Sequence, residues 1–325
     1  MNDVILNCIN KLKGCGQKLV LPEGDDPRIQ QAALELLSLN IAQPVLLGIE
    51  DEIRSHSAMD LSRIEFVDPT NHTNPALEAA LVGKKRKITA DNVNEFLTNP
   101  AYHGVAMLNT GMVHAMVAGA VLPTSKVIEA AFAVGPEAGV KTLSSFFLMD
   151  LQSPLEQIPK SLIFADCAIN IDPNEEQLAE IAVTTAKSAS KLLNDTPRIA
   201  MLSFSTMGSA RHTSVSKVAR AVELVRESHP EIKIDGEMQV DTALSKRVAE
   251  TKLNDPGEVA GRANVMIFPD LNAGNIAYKL VQYCGGAQAA GPVLQGFARP
   301  VCDLSRGATV KDIVAAAAVT MALSL

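Results

Sequence analysis

What this chain of 325 residues lacks narrows its function first. Its five cysteines, Cys8, Cys15, Cys167, Cys284 and Cys302, are odd in number and scattered, with no Cys-X-X-Cys pair. That excludes a disulfide framework and a cysteine zinc site, and it fits a reducing, cytoplasmic compartment. The six histidines show neither His-Glu-X-X-His nor any paired spacing, so no metal centre is expected. No Gly-X-Ser-X-Gly elbow is present to carry a serine triad. A P-loop and a Gly-X-Gly-X-X-Gly fingerprint are missing too. No apolar run approaches the length of a membrane span, and the apolar end "AAAAVTMALSL" is too short for one. The polar and acidic breaks in "MNDVILNCINKLKGCG" are unlike a signal peptide. A net charge of −7 argues against nucleic acid as a partner, but a small anion held by local positive charge remains compatible with it.

What is present is a regular alternation. Hydrophobic residues make up 47% of the chain, enough for two cores at this length. "KLVLPEG" reads as a strand and turn. "DPRIQQAALELLSLN" reads as the following helix, with Asp26 as N-cap and Pro27 at its first position. "QPVLLG", "IEFVD" and "MVHAMVAGAV" continue as strands, with helices at "ADNVNEFL", "PAYHGVAMLNT" and "SKVIEAAFAV". The rhythm breaks at "KTLSSFFLMDL" and "KSLIFADCAIN", two strands joined by the polar loop "QSPLEQIPK", and a domain boundary is expected there. It then resumes with the helix "NEEQLAEIAVTTAKSASKLL", the strands "RIAMLSF", "IKIDGEMQ" and "ANVMIFP" with helices between and after them, and a last helix over about 309–323. Parallel sheets covered by helices, in two α/β domains, are the predicted architecture.

In such sheets ligands sit beyond the carboxyl ends of the strands, and three loops there carry candidate chemistry. "LSFSTMGSARH" offers Ser205, Thr206, Gly208, Ser209 and Arg211 ahead of a helix, either as an anion cradle or as a polar cap. "FPDLNAGNIAYK" offers Asn275 and Tyr278, with a plain capped helix as the alternative. In "RPVCDLSRGATVKDIV", Thr309 and Asp312 fit a capping box, whereas Ser305 and Arg306 beside a helix start suit an anion. From spacing alone, cap and active site both stay open. "KKRK", residues 84–87, is a solvated basic face or a grip for a polyanion.

Taken together, "LPEGDDPR", "FADCAIN", "AMLSFSTMGSARH", "DGEMQ", "ANVMIFPDLNAGNIAYKLVQ" and "GPVLQGFARPVCDLSRGA" make the chain resemble the phosphate acetyl/butyryltransferases over nearly its whole length. The resemblance implies an isocitrate/isopropylmalate dehydrogenase-like fold of two α/β/α domains with a cleft between them. The expected division is 1–145 plus 297–325 against 146–296. It implies reversible acetyl transfer between CoA and inorganic phosphate, with CoA as substrate, no tightly bound cofactor, and a homodimer formed through the second domain. By position in the motif, Asp312 would be the thiol base. Ser305 would bond the thiol or phosphate, and Arg306 would bind phosphate and the growing oxyanion. Ser205, Thr206, Gly208, Ser209, Arg211, Asn275 and Tyr278 would contact phosphate or acyl phosphate.

Three places depart from that pattern. Gly83 and Glu129 stand where the family pattern has arginines for the CoA phosphate, and His114-Ala115 replaces an Asp-Gly pair. Lys84, Lys85, Arg86 and Lys126 are the expected substitutes in a CoA site, though without an arginine fork. A butyryltransferase-like enzyme and a non-catalytic binder of acetyl phosphate or CoA are the alternatives. A nicotinamide-dependent dehydrogenase of the same fold is disfavoured, because no metal-binding aspartate cluster or nucleotide motif is evident.

Overall fold

The computed structural model describes residues 3–71, 73–85, 87–152 and 158–325. The expected loop "QSPLEQIPK" therefore lies partly, and Arg86 wholly, outside the described residues. Two compact units result, 3–139 with 291–325, and 140–290.

The first unit begins with α1 (Asp3–Leu12), β1 (Lys18–Leu21), α2 (Pro27–Ser38), β2 (Gln43–Leu47), α3 (Glu50–His56) and β3 (Glu65–Val67). It continues through α4 (Pro75–Leu81), α5 (Val93–Leu97), α6 (Pro100–Thr110), β4 (Ala115–Ala118) and α7 (Thr124–Ala131). The second unit holds β5 (Ser144–Asp150), β6 (Ser161–Ala165), α8 (Glu175–Leu192), β7 (Arg198–Leu202), α9 (Thr213–Ser228) and β8 (Lys233–Met238). It ends with α10 (Val240–Leu244), α11 (Lys246–Lys252), β9 (Val265–Ile267) and α12 (Leu271–Tyr283). β10 (Gln288–Gln295) returns the chain to the first unit, which β11 (Val301–Asp303) and α13 (Val310–Ala322) complete.

In the first unit the strand order is β3-β2-β1-β4-β11-β10, parallel except for β10 against β11. In the second it is β5-β6-β9-β7-β8, parallel except for the β5–β6 hairpin. The protein is thus of the α/β class, with helices linking mostly parallel strands. Leu19–Leu21 of β1 and all of β4 read as unbroken apolar runs because parallel strands bury both faces. α13 is buried on every side from Ile313 to Ala322, packing against α1, α2 and β4, which explains its lack of a polar face.

The start of α2 is as the sequence predicts. Asp26 caps it by accepting from the Arg28 N–H, and Pro27 fills the first turn. α13 likewise opens with the Thr309–Asp312 capping box. Several elements differ from the sequence reading: residues 3–12, 50–56 and 75–81 form helices, 288–295 and 301–303 form strands, and the single helix near 242–252 is two short ones. A three-residue strand is too short for alternation to reveal, and Ser245 caps a fresh helix by accepting from the Val248 N–H.

Candidate active site

β1, β4 and β11 are neighbours and parallel, so the loops leaving their carboxyl ends, 22–26, 119–123 and 304–309, emerge at the same edge of the sheet. The strand order reverses direction between β1 and β4, which makes this edge a switch point. Two side chains from the first loop and its helix tie the three together. The Glu23 carboxylate accepts the N–H groups of Gly119 and Ala120, each at 2.9 Å, of Val121 at 2.8 Å and of Leu122 at 2.7 Å. The Arg28 guanidinium donates to three carbonyls: Ala120 at 2.7 Å, Arg306 at 2.8 Å and Ala308 at 3.1 Å. Its remaining donors hold Asp26 at 2.8 and 3.1 Å. Burial works against the charge on Asp26, but the bonds from Arg28 outweigh it and keep that carboxyl below its ordinary range.

Arg28 thereby fixes the main chain of the 305–307 turn and leaves its side chains outward. Ser305 and Arg306 are exposed, and the Arg306 guanidinium has no ion pair among the described residues. The Ser305 hydroxyl accepts weakly from the Gly307 N–H at 3.3 Å. Asp312 is half-buried. Its Oδ2 accepts from the Thr309 hydroxyl at 2.7 Å and the Thr309 N–H at 3.0 Å, while Oδ1 takes no part in the cap. Cap and proton acceptor are therefore compatible roles for one carboxylate.

Asp303, the last residue of β11, went unnoticed in the sequence. It is 1% exposed, and neither carboxyl oxygen has a hydrogen-bond partner within normal distance among the described residues. Burial pushes its pKa up to about 7, with the Thr124 hydroxyl opposing the rise and Glu23 adding to it.

The basic run meets Glu129. Lys87 and Lys126 both pair with the Glu129 carboxylate, the latter at 3.4 Å, and the Lys85 ammonium donates to the Glu129 carbonyl. The bond from Lys87 holds the Glu129 carboxyl below its usual range, and burial lowers the Lys85 pKa. Lys87, Lys126 and Glu129 line a cavity of about 370 Å³ with Phe96, Asn99, Ala101, Tyr102 and Leu122. Leu122 belongs to the loop held by Glu23, so the cavity adjoins the switch point. Lys84 is exposed and does not line it, whereas Lys87, not singled out from the sequence, does. Four adjacent basic residues gave no signal for choosing among them.

In the second unit the 203–212 loop is already filled by a carboxylate of the chain itself. Buried Glu237 accepts from the Ser205 hydroxyl and the Gly208 N–H, both at 2.8 Å. Thr206 bonds Gln239, and Ser209 accepts the Thr206 N–H. Ser205 and Thr206 are buried, which leaves Ser209 and Arg211 as the exposed side chains among the loop candidates. Tyr278 is a core residue stacked on Phe147, and the Asn275 amide donates to the Cys167 carbonyl. Among the described residues no cluster of three or more His, Cys, Asp or Glu is arranged to hold a metal ion.

The state of Asp303 has a measurable consequence. Its folded pKa of about 7 exceeds the ordinary aspartate value of about 3.9, so its contribution to stability is complete below pH ~4 and lost as pH rises through 7. Asp303→Asn removes that slope. The melting temperature of the variant relative to the parent should climb between pH 4.5 and 7.5, corresponding to at most about 4 kcal/mol. A constant difference over that range would show that Asp303 does not titrate there.

Comparison with known proteins fits this frame. Residues 3–321 match the family model described as phosphate acetyl/butaryl transferase. The phosphate acetyltransferase of Thermoanaerobacterium thermosaccharolyticum is 45% identical over 323 residues, covering 98% of each chain. A phosphotransacetylase structure from Staphylococcus aureus is 38% identical with a TM-score of 0.88, covering 99% of this chain and 98% of that one. One from Streptococcus pyogenes is 36% identical, also with a TM-score of 0.88, covering 100% of this chain and 99% of that one. With the match running almost end to end, the chain belongs to the phosphate acetyl/butyryltransferase family.

Proposed function

We propose that the 305–307 turn and Asp312 carry the chemistry of this acyltransferase. The reaction is the reversible transfer of an acetyl group between CoA and inorganic phosphate, giving acetyl phosphate and free CoA in one direction. The observation that carries the assignment is an unpaired, exposed Arg306 on a turn whose main chain is locked by Arg28.

A CoA thiol resembles a free cysteine, with a pKa of roughly 8.5, so little thiolate exists at neutral pH. Asp312, oriented by its cap, takes the thiol proton as sulfur attacks the acetyl carbonyl carbon, a contribution of about 10²–10⁴-fold. The carbon–oxygen bond to phosphate then breaks, and phosphate leaves to Arg306 and Ser305. Arg306 also stabilises the negative charge that grows on the carbonyl oxygen. Transfer is direct, with no acyl-enzyme and no tightly bound cofactor. Ser209 and Arg211 are the side chains that the second unit offers to phosphate.

Lys87 and Lys126, with Lys85 behind them, are the proposed cations for the CoA phosphates. A homodimer is part of the same reading. It is supported by Ile276, Leu280 and Tyr283, which lie 57%, 56% and 75% exposed on one face of α12. Cytoplasmic residence is supported by five free thiols. No helix among the described residues is long and apolar enough to cross a membrane.

Three measurements test this. Arg306→Ala should lower kcat/KM by about 10²–10³-fold in phosphate-dependent thiol release from acetyl-CoA. Lys84→Ala should change it by less than about fivefold, and the opposite ranking would remove Arg306 from its role. Glu129→Gln releases Lys87 and Lys126, and the KM for CoA should fall several-fold; an unchanged KM would mean that the cavity does not face CoA. The double variant Leu280→Glu, Tyr283→Glu should sediment as a monomer, and a retained dimer mass would put the interface elsewhere.

A further inference from the structure

The first unit contains one buried carboxyl that the proposed mechanism does not use. Asp303 ends β11, two residues before Ser305, inside the three-strand edge that Glu23 and Arg28 tie together. Space beside it is tight. A Cβ added at Gly119, which has φ +104°, would stand 2.5 Å from Asp303 Oδ1 and 2.6 Å from the Leu304 nitrogen. The Leu304 N–H in turn donates to the Ala118 carbonyl at 2.6 Å, so the strand end and the loop after β4 are in direct contact. The carboxyl has no partner within hydrogen-bond distance among the described residues, yet it is 1% exposed.

The groups facing it are few. Glu23 approaches from the loop after β1 and Thr124 from the start of α7. Along β11 its neighbour is the Cys302 thiol, whose pKa burial drives far up and which meets the Thr320 hydroxyl of α13. Of the basic side chains on the tied loops and their helices, Arg28 is occupied by Asp26 and three carbonyls, and Arg306 is exposed on the turn. No cation among these compensates a charge on Asp303. Ionised, it would set a second negative charge beside the Glu23 carboxylate, which holds four N–H groups of the 119–122 loop.

We propose that Asp303 is a positioning residue that acts as the neutral carboxylic acid, and that its ionisation loosens the 119–122 loop and the 305–307 turn together. Asp303 touches no substrate in this scheme; it acts through Glu23 and the turn. The inference rests on the reading that Ser305 and Arg306 carry the transfer.

The test compares kcat of Asp303→Asn with that of the parent enzyme in the acetyl-CoA plus phosphate direction from pH 6 to 8. Taking the ratio cancels the titration of phosphate and thiol, which both enzymes share. With one group titrating near 7, the ratio of variant to parent should rise about tenfold across that range. A ratio that stays flat overturns the proposal. Because the variant can fail to fold, hydrogen exchange on the parent protein supplies a second readout. Corrected for intrinsic exchange rates, protection of the 304–308 and 119–122 amides should drop between pH 6 and 8 while that of α13 holds. Protection unchanged in both loops also overturns it. Neither exchange result depends on turnover, so failure of the positioning role is distinguishable from failure of Arg306 as the catalytic cation, which Arg306→Ala reports separately.

Discussion

Four main-chain N–H groups converge on one carboxylate, that of Glu23, and the geometry of the candidate site follows from it. A loop that begins at the carboxyl end of a parallel strand starts with donors the sheet no longer satisfies. Leaving such a donor buried and unpaired costs about 1–3 kcal/mol each, so residues 119–122 would not hold this path alone. Glu23 supplies the acceptors from the neighbouring loop. Arg28 does the converse for the carbonyls of Ala120, Arg306 and Ala308. One six-residue segment, Glu23 to Arg28, thus satisfies donors and acceptors on two other loops, and holding the Arg306 carbonyl leaves its side chain exposed.

The second unit uses the same device. Asp166, buried beyond β6, accepts from the Ser145 hydroxyl and from the main-chain N–H groups of Ser145, Ala168, Ile169 and Asn170, and so shapes the "DCAIN" segment. Glu237 does this for the 203–212 loop. Two donors of that loop, the Ser205 hydroxyl and the Gly208 N–H, serve a carboxylate of the chain itself. Ser209 and Arg211 are the exposed side chains among the loop candidates left to meet an external anion.

The sequence disclosed those parts of the fold whose cause is local. The Asp26–Pro27 helix start and the Thr309–Asp312 box rest on neighbours within a few positions, the β5–β6 pairing on strands adjacent in the chain, and each stands in the structure. Glu23 and Arg28 lie inside a conspicuous motif without a visible role, because their partners are main-chain atoms far away in sequence; Arg28 and the Arg306 carbonyl are 278 positions apart. No periodicity encodes such a pairing. Asp303 is hidden for a different reason: its burial follows from β11, a three-residue strand too short for alternation to reveal. Tyr278 illustrates the reverse error of emphasis. Its hydroxyl suggested a ligand contact, but its position on α12 faces Phe147 and the core.

The lysine cluster shows why residue type alone does not define an anion site. Three ammonium groups surround Glu129, which at first suggests surplus positive charge. One carboxylate and one carbonyl already occupy them, and Lys85, which burial penalises, loses stabilisation if its carbonyl partner moves. A phosphate entering this cavity must therefore displace Glu129 from Lys87 and Lys126 or share them with it. An arginine fork would meet phosphate with two parallel hydrogen bonds, whereas lysine meets it as a mobile point charge. The exchange of one anion for another at Lys87 and Lys126 makes affinity depend on the difference between two ion pairs rather than on either one. Under that constraint an anion entering here is exchanged more readily than it is retained, and Phe96, Tyr102 and Leu122 are the lining side chains that carry no ion pair to exchange.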